Sequence, residues 1–520
     1  MTSEDERWHR QAFGGTPERE ADDYFGVVPT EESPLLHTDL PPDVVPDKPF
    51  QHLVLSVCVL FLFVVEVSMF VMQPPLQQVM EDRVCGEIYP DHLVGTMSET
   101  DDRCKDNTVQ KELAMLRSWE VSAEMFVPFF VQIPYGIIAD KYGRRPVLFL
   151  ALFGAVLQTA WILLVLGVPK HFSVWSILYG NMAYFIGGGG QMAAAMVWTL
   201  LADAIPMAER TSVFYLLHAM ILILGVLVNP IAALLLKTNP WIALWLGFAI
   251  LVVGVFASLL VPETLALRQK ADSKRCRGGI VDGAIHANYS PRKSRVQHVV
   301  FTMKNDMGHV WRFIFASKSV MILIVAYTIN FPIKLNQTFN LLQYMTKRFD
   351  LAWSTATYIS TVSNVTAAVV LLVVLPAGSW VLANKCKEGP LKRDLILTRM
   401  SVVFIMAGSF LIAMAPTVWL FIAALVLTSL GTGFSTLCRA LLNAVVEPHT
   451  VATLKTTVSM METVMGLVSS PILGWLLSKG IELGGIWMGL PYLVCAVLAA
   501  LTGVMMLAYR FPTGFAQASS

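Results

Sequence analysis

Twelve stretches of this chain are each long enough and apolar enough to cross a lipid bilayer, and that repetition excludes almost every water-soluble architecture. A spanning helix needs roughly 20 apolar residues, because the hydrocarbon core is ~30 Å thick and each residue rises ~1.5 Å. The stretches lie near 53–72, 119–139, 147–168, 174–202, 212–236, 241–262, 319–341, 354–376, 395–415, 417–439, 456–478 and 486–509. No water reaches backbone groups at that depth, so each stretch reads as a helix that bonds to itself. Glu124, Lys334 and Asn364 interrupt the second, seventh and eighth stretches. The first follows fifty mostly polar residues and lacks a small-residue cleavage site, so it is not expected to be a secretory signal. The expected fold class is an all-α membrane protein, its twelve transmembrane helices arranged as two six-helix bundles.

Composition supports that class: 14% of the 520 residues are charged, against about 25% in soluble domains. The net charge of +1 gives no field for a polyanion. The lipid bilayer, not nucleic acid, is the expected surroundings. Lys and Arg stay on the cytoplasmic side of a membrane protein. Placing the N-terminus inside puts Lys141, Arg144, Arg145, Arg210, the basic cluster from Arg268 to Lys318, Lys392, Arg393 and Lys455 on one side. Both termini are therefore expected in the cytoplasm. The expected organisation is a disordered tail (1–50), a first bundle (51–262), a polar central loop (263–318), a second bundle (319–510) and a short tail (511–520).

The second stretch ends in Pro134-Tyr-Gly136-Ile-Ile-Ala-Asp140-Lys141-Tyr-Gly143-Arg144-Arg145. Pro376-Ala-Gly378 repeats the Pro and Gly spacing after the eighth stretch, followed by Lys392 and Arg393, which points to two diverged homologous halves. The pattern Gly136-x-x-x-Asp140-Lys141-x-Gly143-Arg144-Arg145 resembles the signature loop of the major facilitator superfamily, in the expected place between spans two and three. Val261-Pro262-Glu263-Thr264 at the close of the sixth span adds to the resemblance. It covers about 51–510 and implies the major facilitator fold and transport by alternating access. The first outside loop, with VQKELAMLRSW leading into the second span, is loosely similar to the proton-coupled folate transporter branch and its fungal relatives. Asn229-Pro230 after Gly225 is a degenerate form of the motif of drug–proton antiporters.

The residue types at the loop have physical reasons. Gly136 lets a neighbouring helix come close, and Gly143 accepts the positive φ of a tight turn. Arg144 forks onto a carboxylate, and Asp140 pairs with it. Asp203 and Arg210, at the joint of spans four and five, complete an expected gating latch with Arg145. The resemblance implies that the start of the eleventh span, near Lys455-Thr456, is its partner on the other half.

An ionisable residue inside a span is a functional candidate by default. The expected substrate or proton sites are Glu66, His218, Lys334, Asn336 and Glu462, with Gln343 beyond the broken end of the seventh span. Glu124 is expected on a solvated face near the outer mouth, and Arg439 as an anchor closing the tenth span. Gly187–Gly190 lacks the following Gly-Lys-[Ser/Thr] of a phosphate loop and is expected to serve close helix packing.

Of seven cysteines, only Cys85 and Cys104 share a non-cytoplasmic loop, which makes them the disulfide candidate. Asn336-Gln-Thr338 is a glycosylation candidate. Glu31-Glu-Ser-Pro-Leu35-Leu36 resembles an acidic dileucine signal, so the expected location is a vacuolar or endosomal membrane or the plasma membrane. No metal site, cofactor or catalytic cluster is expected. The expected function is secondary active transport of a small organic solute by a monomer, as proton-coupled efflux of a drug-like or secondary metabolite. The alternatives are proton-coupled uptake of a nutrient or organic anion, and a non-transporting receptor on the same fold.

Overall fold

The computed structural model describes residues 48–90, 103–205, 207–265, 318–385, 387, 389–445 and 451–509. The side chains of Arg210, Lys455 and Thr456 lie outside the described residues, as do Glu31–Leu36 and the loop 266–317. Twelve helices among the described residues are long and apolar enough to cross a membrane. They are Lys48–Ile88, Asn107–Tyr142, Arg144–Gly167, Val174–Ala204, Leu216–Thr238, Pro240–Ser258, Lys318–Phe339, Trp353–Asn384, Pro390–Met414, Val418–Val445, Thr457–Leu483 and Gly485–Ala508, referred to below as spans one to twelve.

Packing repeats with a six-helix offset. Span one packs on six as seven packs on twelve, and three on four as nine on ten. The two halves meet along two seams, span two against eleven and span five against eight. The alternating direction of the spans puts the signature loop at one end of the molecule and Cys85 and Cys104 at the other. These are called the signature-loop end and the disulfide end.

The disulfide end differs from the expected loop over 73–118. Span one continues to Ile88 and span two begins at Asn107. At ~1.5 Å per residue, the 41 residues of span one reach about 60 Å, twice the ~30 Å core. Apolar residues at helical spacing explain the overrun. Val79, Met80 and Val84 are buried on one side, and Val109, Leu113 and Leu116 on the other. Asp106 starts span two by accepting a hydrogen bond from the Thr108 amide at 3.1 Å. The Cys85–Cys104 disulfide ties the two extensions together, as expected, with Cα atoms 5.1 Å apart.

Two spans are broken near the middle of the molecule. Span four is a 3₁₀ segment (Val174–Phe185) followed by an α-helix (Gly189–Ala204). Gly187, Gly188 and Gly189 take φ of +84°, +85° and +64° at the break, values that cost a side chain strain. A Cβ on Gly187 would strike the backbone of Leu150 and Ala151. The glycine run thus serves close packing as expected and also interrupts the helix. In span eight a wider π turn at Val370–Val374 precedes Pro376, whose ring nitrogen cannot donate.

Candidate functional site: a central cavity and two gates

A cavity of about 540 Å³ lies between the halves, within the range of roughly 300–1,000 Å³ typical of small-molecule sites. Trp198, Phe214 and His218 line it from the first half, and Tyr327, Lys334, Leu371, Arg439 and Glu462 from the second. It reaches toward the signature-loop end, because Leu442 and Leu454 of its wall lie one turn from the helix ends at Val445 and Val451.

The two walls differ in chemistry. On one, Trp198 packs edge-on against Phe214 with ring centroids 5.2 Å apart, and the His218 ring sits 6.0 Å from Trp198. On the other, Tyr327 Oη donates to Glu462 Oε1 at 2.5 Å, and Arg439 donates to Tyr327 Oη at 2.8 Å and to Glu462 Oε1 at 3.0 Å. Lys334 stands beside this closed triangle. Its ammonium group makes no hydrogen bond or ion pair among the described residues.

The disulfide end is shut by bonds between the halves. Glu81 is 5% exposed and accepts from Lys105 at 2.8 Å, from Gln110, and from Trp353 of the second half. Gln343 donates to the Gln110 carbonyl at 2.9 Å, Lys347 donates to the Lys105 carbonyl, and Arg117 to that of Phe339. Below these, spans two and eleven touch through small residues. Ser122 donates to Leu467 O and Ser470 to Ser118 O, each at 2.9 Å. A Cβ on Gly474 would collide with Ser118, and one on Gly466 with Met125. Small residues four apart let two helices approach this closely.

At the signature-loop end, Arg144 is completely buried, with Nε 2.7 Å from Asp203 Oδ2 and a terminal nitrogen 3.7 Å from Asp140 Oδ1. The Asp203 contact is a close ion pair whose angle falls short of an aligned hydrogen bond. Thr264 Oγ1 donates to Asp203 at 3.3 Å. The Glu263 carboxylate accepts from the amides of Arg144 and Arg145 at 3.1 Å and from its own neighbours Thr264 and Leu265. An anion at a helix start is favoured by the helix dipole. Gly143 has φ +112°, as expected, and a Cβ there would strike Glu263.

Several expectations change. A Cβ on Gly136 would meet nothing within 4 Å, so the expected close approach is not made there. Asn336 is fully buried and its Oδ1 accepts from Asn340 at 2.9 Å. It neither lines the cavity nor leaves room for a glycan, because its place one turn inside span seven turns it into the core. Gln343 is likewise buried, bridging the halves instead of facing the cavity. Arg439 does not close the tenth span, since that helix runs on to Val445, and the guanidinium reaches the cavity. His218, Lys334 and Glu462 do line it. Glu66 is half-buried and outside the wall, one turn from Phe70, whose ring lies against Gly225 of span five. Nothing in the sequence alone marked Glu81, Tyr327 or Trp198, and it offered Glu263 only as part of the motif that closes the sixth span. For Arg439 a signal existed. Phe434, Leu437, Cys438, Leu441 and Leu442 take one face of its helix, leaving Arg439 on the other with Ser435, Thr436 and Asn443.

Comparison with known proteins agrees with this architecture. A family model described as Major Facilitator Superfamily matches residues 116–387. The chain is 27% identical over 468 residues to the MFS efflux pump atnC of Emericella nidulans, covering 88% of each. It is 26% identical over 211 residues to the proton-coupled folate transporter of Bos taurus, covering 39% of this chain and 46% of that one. Among solved structures, the D-xylose-proton symporter superposes with a TM-score of 0.59 at 12% identity, covering 89% of this chain and 99% of that one. A match at that identity carries the fold alone.

Proposed function

The chain belongs to the major facilitator superfamily and is a multi-pass membrane transporter, and on that premise we propose that it exports a small organic solute in exchange for protons. The observation that carries this is the cavity between the halves, lined from both and shut at the disulfide end. A site that rocking halves expose to alternate sides is the general layout of such carriers. The efflux direction rests on atnC, whose name gives it as an efflux pump.

In this reading the signature-loop end faces the cytoplasm, where its basic residues belong, and the protein rests with its cavity turned inward. Both chain termini then lie in the cytoplasm, and the working unit is one chain in a vacuolar, endosomal or plasma membrane. Asp140, Arg144, Arg145, Asp203 and Arg210 act as the inner latch, with Lys455-Thr456 as its partner on the other half. Glu263 holds the start of span three in place for that role. The solute enters between Trp198 and Arg439. Glu66 carries the proton. It is a half-buried carboxyl with no ion pair or hydrogen bond among the described residues, so protonation costs it no partner. His218 and Glu462, which line the cavity, are the further candidates for proton binding.

Proteoliposomes with an imposed pH gradient, incubated in a small-molecule extract of the cells that make the protein, test the proposal. Mass spectrometry is expected to find at least one solute moved against its gradient, with the movement lost on adding a protonophore and in E66Q. Equal contents in protein-bearing and empty vesicles would rule out transport, and flux indifferent to the protonophore would rule out proton coupling.

A further inference from the structure

The cavity wall carries an unbalanced charge. Arg439 and Glu462 neutralise each other through a 3.0 Å ion pair, and Tyr327 completes their triangle. Lys334 has no such partner among the described residues, although its side chain is exposed to the cavity. His218 on the facing wall adds no anion. The polar face of the site therefore carries one net positive charge on the cavity wall.

Apart from the uncharged polar residues Ser435, Thr436, Asn443 and Ser459, the rest of the wall is apolar. Trp198 and Phe214 stand on one side, with Leu371 and Leu372 at the π turn and Leu442 and Leu454 toward the signature-loop end. Lys334 lies in the half of span seven nearer the disulfide end, the deeper part of the cavity. From this arrangement we propose that the transported solute is an amphipathic organic monoanion. Its carboxylate pairs with the Lys334 ammonium, and its aryl or alkyl body lies between Trp198 and Leu371. An ammonium with no counter-ion, in a cavity walled largely by apolar groups, gains from a ligand that brings the missing negative charge and shields the pair from water. A cationic amphiphile meets like charge at the same point, and a neutral one leaves Lys334 as it was. The proposal names the substrate class of the transport site and rests on that reading.

Binding, measured by isothermal titration calorimetry on the full chain in lipid nanodiscs, tests the proposal without requiring transport. The probes are phenylacetate, phenylbutyrate and phenyloctanoate, each with its methyl ester and the amine of the same length. At least one carboxylate is expected to bind at least about tenfold more tightly than its ester and its amine. K334Q is expected to remove that preference while keeping the thermal melting of the parent, and K334R to keep most of it. The proposal is overturned if no carboxylate binds, if an ester or amine binds as tightly, or if K334Q keeps the preference. Carboxylate binding with no flux in proteoliposomes would sink the transport reading and leave the anion site standing. Flux of cations or neutral solutes alone would do the reverse.

Discussion

Arg144 Nε lies 2.7 Å from Asp203 Oδ2, and the Arg144 side chain has no solvent exposure at all, while Asp140, its other acidic neighbour, is 59% exposed. The two acids of the signature-loop end therefore do different work. Removing one partner of a buried ion pair costs about 3–5 kcal/mol, whereas an exposed pair is worth about 0–1 kcal/mol. D203N is expected to lower thermal stability markedly and D140N hardly at all. Melting of the two purified variants by differential scanning fluorimetry decides this, and equal melting temperatures would show that Asp203 is not the structural partner.

With the stability effect assigned to Asp203, Asp140 is left for gating. D140N is expected to be made, inserted and stable, yet to move solute at least about tenfold more slowly. A normal rate in sealed vesicles would remove Asp140 from the latch.

Glu81 is the acceptor on which Lys105, Gln110 and Trp353 converge at the disulfide end. E81A leaves those donors without their shared acceptor and weakens the tie between the halves. Hydrogen–deuterium exchange in the variant is expected to rise in 107–125 and 466–483, the two sides of the seam between spans two and eleven, with little change in 144–167. Unchanged exchange in both segments would mean that Glu81 does not hold that gate shut.

The Cys85–Cys104 bond closes a chain separation of 19 residues, for which loop entropy gives about 3 kcal/mol. C85S/C104S is expected to melt several degrees lower than the parent. Reductant is expected to lower the parent's melting temperature and leave the variant's unchanged. No difference between the two proteins would mean that the buried apolar faces of the two helix extensions hold that end alone.

The number and order of the helices were legible because hydrocarbon thickness imposes a length that few other structures satisfy. The disulfide was legible because Cys85 and Cys104 were the only cysteines expected to share a non-cytoplasmic loop. What surrounds Glu81 was hidden by the same rule that found the spans. Near residue 72 the apolar run ends, so length and hydropathy stop reporting on the helix, although Val79, Met80 and Val84 still bury one face. Asn336 and Arg439 were misplaced for a different reason. Both are polar residues near the end of an apolar run, and helix rotation decides whether such a residue meets the core, the cavity or water. Glu263 was part of a familiar pattern, but its contact with the Arg144 and Arg145 amides spans more than a hundred residues of sequence.

The account depends on the halves separating at the disulfide end during each cycle. Ser470 donates to the Ser118 carbonyl across the seam between spans two and eleven, so S118C/S470C places two thiols where a short bifunctional cross-linker joins the halves. Flux of a solute identified in the vesicle assay, measured before and after cross-linking, is the most direct test. The account predicts that the cross-linked protein still binds the solute from the signature-loop end and moves none of it, while the parent treated with the same reagent keeps its rate. Cross-linked protein transporting at the parent rate would contradict alternating access through this cavity.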